Sequence, residues 1–268
     1  MKTPGWILLL SAAGLAQAQT VPAAPAAPAA TPPHAAPAAP AAPAQPALAA
    51  VPALPAGPGK VYAPGEFDRL ELAGAARVLL VQGERNQAFV AGDEEVQQGI
   101  AVELHGRMLV IRPAGGWKFW HADKPFVQVE VRQLKQLSVS GASDVHVPGL
   151  LRADQLRLTI SGSASVRAEQ LEARQLTFGI SGAGDGQLGG RVDELALQIS
   201  GKGKVVADKL QAQKARVSVS GIGNVVVWVT EELTARISGI GSVDYFGSPH
   251  VLRSVSGMGT ITAKGDKR

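Results

Sequence analysis

Seven Ser-Gly pairs punctuate the second half of this chain: Ser140-Gly141, Ser161-Gly162, Ser181-Gly182, Ser200-Gly201, Ser220-Gly221, Ser238-Gly239 and Ser256-Gly257. The steps between them are 21, 20, 19, 20, 18 and 18 residues. A period in this range marks a repeat architecture. The residue before each serine is Val139, Ile160, Ile180, Ile199, Val219, Ile237 or Val255, β-branched every time. Two and four residues further back lie apolar pairs such as Leu158 and Leu156, Phe178 and Leu176, or Leu197 and Leu195. Polar side chains stand between them, which is the two-residue alternation of a strand with one face buried. Five residues after the serine the position is apolar again, with Gly186 the exception. Each repeat therefore reads as a strand, a Ser-Gly corner, a second short strand, and a polar return holding another Leu or Ala.

One such repeat cannot bury its own apolar side, whereas stacked repeats align equivalent residues into ladders about 4.8 Å apart. The corner glycine is expected to supply the freedom of a tight turn, and the serine to hydrogen-bond locally at the bend. Three residues after the serine stand Ser143, Ala164, Gly184, Gly203, Gly223, Gly241 and Gly259, so the corner also demands small side chains. The Leu-x-x-Leu-x-Leu and Asn pattern of leucine-rich repeats is missing. The expected fold is all-β: a single-stranded right-handed parallel β-helix of about 20-residue coils, regular over 137–262. An aromatic content of only 4% suits a narrow interior filled by stacked Val, Ile, Leu and Ala.

Residues 60–136 are less regular but still β-rich. Alternation runs through Phe67 to Leu72, Arg77 to Val81 and Ile100 to Leu104, and His105-Gly106 links the last of these to Met108 to Ile111 as a hairpin. Phe126 to Val131 leads into the first repeat. The simplest reading is one continuous β domain over 60–268 whose early portion caps the solenoid.

The series SVSGASDVHV, TISGSASVRA, GISGAGDGQL, QISGKGKVVA, SVSGIGNVVV, RISGIGSVDY and SVSGMGTIT resembles the GIN head domain of auto-transporter adhesins, a domain of unknown function. FDRLELAGAARVLLVQGE and the MLVIRP strand look like the opening of the same family. The resemblance covers about 60–265 and implies an exported bacterial cell-envelope β-helix. No β-barrel translocator follows Lys264-Gly265-Asp266-Lys267-Arg268, so a complete auto-transporter is not expected.

The start of the chain supports export. Lys2 precedes the apolar run Trp6-Ile7-Leu8-Leu9-Leu10, and Ala16-Gln17-Ala18 fits a cleavage site, so residues 1–18 read as a signal peptide. Residues 19–59 read as an Ala/Pro-rich linker: positions 19–58 hold 18 Ala and 12 Pro and no charge. Proline blocks helix propagation and nothing large is available to bury, which predicts an extended spacer. The expected location is the periplasm or the cell surface, with no transmembrane segment after signal cleavage. No cysteine is present, which excludes disulfides and a lipid-modified cysteine anchor. After Lys2 the chain carries 25 basic and 22 acidic groups, interspersed, so no nucleic-acid footprint stands out.

Candidate chemistry is sparse. Four residues after each serine an outward ladder runs through Asp144, Ser165, Asp185, Lys204, Asn224, Ser242 and Thr260. Asp144 and Asp185 lie two coils apart, about 9–10 Å, too far to share a calcium ion. Gly179-Ile180-Ser181-Gly182 lacks the second glycine of a nucleophile elbow, and no helix follows it. His105, His121, His146 and His250 show no metal or triad spacing. Neither a cofactor nor a metal nor a catalytic residue is expected. One cluster stands out, Trp117, Phe119, Trp120 and His121 in a Gly-flanked loop. Exposed rings there would stack on a sugar or a protein partner; rings folded back would cover the open end of the solenoid, and this second reading is favoured. The chain is thus expected to be a binding or adhesion module, or a structural one, without catalysis. Polysaccharide or an envelope protein is the expected partner, and homo-oligomers through stacked end coils stay open. The alternative is a carbohydrate-active β-helix enzyme, which rests on fold analogy alone.

Overall fold

A computed structural model describes residues 57–115 and 124–267. The leader at 1–18, the Ala/Pro segment up to residue 56 and the aromatic cluster at 117–121 lie outside the described residues. Strand takes 72% and helix 2%, and the strands wind into a parallel β-solenoid of about six turns with coils near 20 residues. The N-terminal part carries β1 (Gly59–Tyr62), β2 (Arg69–Leu72), β3 (Arg77–Gln82), β4 (Gln87–Ala91) and the short helix α1 (Glu94–Gln98). It continues through β5 (Ile100–His105), β6 (Met108–Pro113), β7 (Phe126–Val131) and β8 (Gln136–Val139). The regular stack is β9 (Asp144–Ile160), β10 (Ser163–Ile180), β11 (Ala183–Ile199), β12 (Lys202–Val219) and β13 (Ile222–Ile237). The last strands are β14 (Ile240–Phe246), β15 (His250–Val255) and β16 (Met258–Ala263).

Every regular coil is one long strand bent twice, rather than two strands and a return. In β10 the inward positions are Ala164, Val166, Ala168, Leu171, Leu176, Phe178 and Ile180. Alternation slips where neighbouring side chains both point out, at Glu169-Gln170 and Arg174-Gln175. Together with the Ser-Gly corner these slips give each coil three sides. The return expected from sequence is itself paired strand: Leu171, Glu172 and Ala173 lie in parallel register with Leu151, Arg152 and Ala153 on one side and Gly190, Arg191 and Val192 on the other.

The corner glycines are needed for a reason other than turn freedom. None of the seven has a positive φ. A Cβ on Gly162, Gly182, Gly201, Gly221, Gly239 or Gly257 would instead fall on the carbonyl oxygen of the corner glycine one coil earlier. The serines also bond across coils, not within the bend. Ser161, Ser181, Ser200 and Ser220 donate both N–H (2.8 Å) and hydroxyl (3.3–3.4 Å) to the carbonyl before the corner of the preceding coil. Gly186, the break in the apolar column, has a packing cause. The ring of Phe178 is fully buried, and a Cβ on Gly186 would lie 2.6 Å from its Cζ.

The early residues do more than cap the stack. β2 and β3 form a coil that pairs with β8 and β9 on one side and with β6 and β7 on the other, all parallel. The chain thus lays down the second coil first, then the outermost one, then returns past it. β7 leads through residues 132–135 into β8, the strand before Ser140, but it does not lie beside β9, because β3 stands between them. Ala73-Gly74 is an eighth corner in which alanine replaces serine: Ser140 N–H donates to Leu72 O, and a Cβ on Gly141 would meet the Gly74 carbonyl. The hydroxyl of Ser143 stitches this junction, donating to Gly74 O (2.9 Å) and accepting from Ala76 N (3.1 Å). Antiparallel strands close this end, with β4 on β7, β1 on β4 and β5 on β6. The β5–β6 hairpin turns at Gly106, whose φ is +63°.

Candidate binding surfaces

Register turns each outward position into a column that crosses the coils. Arg77, Asp144, Ser165, Asp185 and Lys204 stand in one column, and Asn224, Ser242 and Thr260 continue it. The next outward column on the same side holds Leu79, His146, Arg167, Gln187 and Val206. Between and beside them lies a groove of about 520 Å³. Phe126 lines its N-terminal end, and the Lys124 ammonium there sits 2.7 Å from Asp144 Oδ2. Asp144 also accepts from the Ser165 hydroxyl (2.7 Å), and His146 Nε2 lies 3.0 Å from Glu169 Oε1. The Lys124 hydrogen bond holds the Asp144 carboxyl below its ordinary pKa despite partial burial. Arg167 stands in register between His146 and Gln187 with no ionic partner among the described residues, so the groove presents a free guanidinium.

The side after the first bend is a second polar surface, and there most of the charges on β9 to β11 are answered. Arg152 donates to Glu172 (2.7 Å), and Arg174 binds Asp154 through two nitrogens at 2.8 and 3.1 Å. Gln175 donates to Glu194 (3.0 Å), Arg191 to Gln211 (3.0 Å) and Gln213 to Asp193 (3.3 Å). In these columns no carboxylate faces another on the adjoining coil. The Arg174 hydrogen bond holds Asp154 low, and hydrogen bonds from His105 and Arg112 do the same for Glu103. A general acid at neutral pH needs its pKa raised; the resolved carboxyl shifts are all downward.

Two carboxylates are buried among the described residues, Glu130, which accepts from Arg85 N and Gln87 Nε2, and Asp68. Asp68 is 2% exposed and sits where the outermost coil, the β2–β3 coil and the first Ser-Gly coil meet. Arg107 Nε (3.1 Å) and Lys135 Nζ (2.9 Å) reach its Oδ2, and its backbone carbonyl accepts from Lys135 N at 2.7 Å. Burial alone would raise this carboxyl; the Lys135 and Arg107 hydrogen bonds bring it below its ordinary value. Sequence reading did not single out Asp68, because Arg107 and Lys135 are 39 and 67 residues away in the chain. Spacing therefore carried no signal.

The seven expected Ser-Gly corners fall in line along one edge of the stack. The aromatic cluster 117–121 belongs to the stretch joining β6 to β7, whose flanking residues depart from and rejoin the same corner line: Ala73 N donates to Ile111 O, and Arg77 N to Pro125 O. Beside those flanks lies an apolar pocket of about 90 Å³ between Leu72, Val96, Ile111 and Pro125. No group of three or more His, Asp or Glu able to hold a metal occurs among the described residues. No helix among them is long and apolar enough to cross a membrane.

The family model described as "Putative auto-transporter adhesin, head GIN domain" matches residues 66–249. Among solved structures, a putative adhesin from Bacteroides fragilis NCTC 9343 is similar at 25% identity and TM-score 0.74, over 76% of this chain and 95% of that one. A putative adhesin from Parabacteroides distasonis ATCC 8503 follows at 21% identity and TM-score 0.62, over 77% and 96%. A putative lipid binding protein from the same organism has 19% identity and TM-score 0.61, over 77% and 96%. No curated protein matches the chain.

Proposed function

The chain belongs to the auto-transporter adhesin head GIN domain family, and on that premise we propose that it is a non-catalytic binding head of the bacterial cell envelope. Residues 1–18 direct export, residues 19–59 act as an extended spacer, and the solenoid binds a polysaccharide or an envelope protein along the groove headed by Lys124 and Phe126. The observation that carries this reading is the column from Arg77 to Lys204, polar groups repeated at about 4.8 Å across five coils. A surface with that translational repeat suits an extended ligand laid along the stack. The downward carboxyl shifts, and the described columns in which no carboxylate faces another, support binding over hydrolysis.

The test is a glycan and envelope-fraction binding screen of the full chain, with product analysis of every glycan that binds. Arg167→Glu and Asp185→Lys are expected to reduce capture of the bound ligand at least tenfold without lowering the melting temperature. Release of any oligosaccharide would overturn the non-catalytic reading. Binding indifferent to both substitutions would move the site off this groove.

A further inference from the structure

Among the described residues, the C-terminal end of the stack has no counterpart to the strands that close the other end. β15 pairs only with β13 and β16 only with β14, so their outer edges are unpaired among the described residues. An open parallel edge offers a row of free N–H and C=O groups. Side chains at this end are exposed too, with Val255 at 44% and Leu252 at 52%.

The inward columns here end unequally. One runs Ile199, Val219, Ile237, Val255 and another Leu195, Ala215, Leu233, Val251, apolar throughout. The column between them runs Leu158, Phe178, Leu197, Val217, Ala235 and then Arg253. A guanidinium thus occupies a core position of the end coil, exposed and without an acidic partner among the described residues. By contrast, Lys264 pairs with Asp244 at 3.4 Å, and Lys267 with Asp208 at 3.1 Å.

We propose that this end is a docking edge for an extended strand of another protein, one that points a carboxylate toward the solenoid axis over Arg253 and apolar side chains two residues to either side. Three observations select that occupant. The fold already accepts antiparallel strands on an end coil, since β5 lies on β6 with Val102 opposite Ile111 and Leu104 opposite Leu109. Main-chain pairing of this kind supplies affinity, and alternate side chains supply specificity. A carboxylate over Arg253 would form the charge-assisted, bidentate pair that guanidinium favours. A second copy stacked end to end would bring a like charge or an apolar column onto Arg253, which acts against self-stacking. This inference stands apart from the lateral groove and survives its failure.

The experiment uses the full chain and three fluorophore-labelled synthetic peptides, Thr-Val-Thr-Glu-Thr-Val-Thr and its Gln and Lys versions at the centre, with affinity read by anisotropy. The Glu peptide is expected to bind about tenfold or more tightly than the other two, a difference of about 1.4 kcal/mol. Arg253→Glu is expected to transfer the preference to the Lys peptide. Failure of the Glu peptide to bind, equal binding of all three, or a preference unchanged by R253E overturns the proposal. So does wild-type self-association through this end, seen as a concentration-dependent mass that Arg253→Leu leaves unaltered.

Discussion

The two ends of the stack solve the same problem differently. At the N-terminal end an extra coil is slipped out of chain order, antiparallel strands cover the outer edges, and Asp68 ties three chain segments through Arg107 and Lys135. At the C-terminal end β15 and β16 are the last described strands, and the guanidinium of Arg253 stands in a core column without an acidic partner among the described residues. The core explains why both are tolerated. Each coil touches mainly its neighbours, so stability is close to a sum of nearest-neighbour terms. An end that lacks one neighbour loses only its own interface. The closed end is therefore expected to be the rigid one, and the open end the one that frays.

The sharpest test exchanges equivalent glycines at the two ends. Gly141→Ala drives a Cβ onto the Gly74 carbonyl, with coils packed on both sides and no room to relax. It is expected to cost about 4 kcal/mol or more. Gly257→Ala meets the Gly239 carbonyl in the same way, but no described strand stacks outside its coil. That coil can lift, and the cost is expected near 1 kcal/mol. Equal losses by denaturant titration would break the comparison.

Asp68→Ala is expected to cost about 2–3 kcal/mol, because it removes charge-assisted hydrogen bonds from Arg107 and Lys135 at the closed end. The same group makes that end acid-sensitive. Its folded pKa lies below its ordinary value, so its contribution is fully present above about pH 4 and is lost as pH falls through the folded pKa. Melting temperature against pH should fall steeply below about pH 4 in the parent and less so in the Asp68→Ala chain.

Between the ends, Gly186→Val is expected to cost about 1–3 kcal/mol by overpacking against Phe178. Phe178→Leu in the same chain should recover most of it, which a double-mutant cycle reads directly. The smallest effect separates two valines in one core column. Val139, 1% exposed, should lose about 2 kcal/mol on change to Ala, and Val255, 44% exposed, less than about 0.5. Hydrogen exchange in β15 and β16 faster than in β9 to β12 would sharpen the same contrast.

Much of this was legible in the repeats. The β-branched residue before each serine, the alternation behind it and the apolar fifth position locate the inward columns, and the structure places them there. The hairpin at His105-Gly106 was visible as well. The eighth corner was written as LELAGAARV beside LSVSGASDV, disguised by alanine in the serine position. The out-of-order coil was not legible, because alternation in β6 and β7 says that they are strands and is silent on which neighbours they take. The ladder from Asp144 to Lys204 was legible, but the groove was not: Lys124, Phe126 and the column of His146 and Arg167 join that ladder only once the coils are stacked.

What the sequence by itself determined is the period, the inward face and the need for small residues at the corners, because a two-residue alternation repeated about every twenty residues admits few other packings. What only the tertiary structure decided is why those corners are glycine, which partner Phe178 leaves room for, and how each end terminates. Those answers depend on contacts between coils. A Cβ that would strike a carbonyl one coil away and a charge that enters a core column are set by neighbours about twenty residues distant, and the ring of Phe178 reaches Gly186 only because the corner between them folds β10 and β11 together. Local pattern carries no record of such neighbours until the coils are stacked.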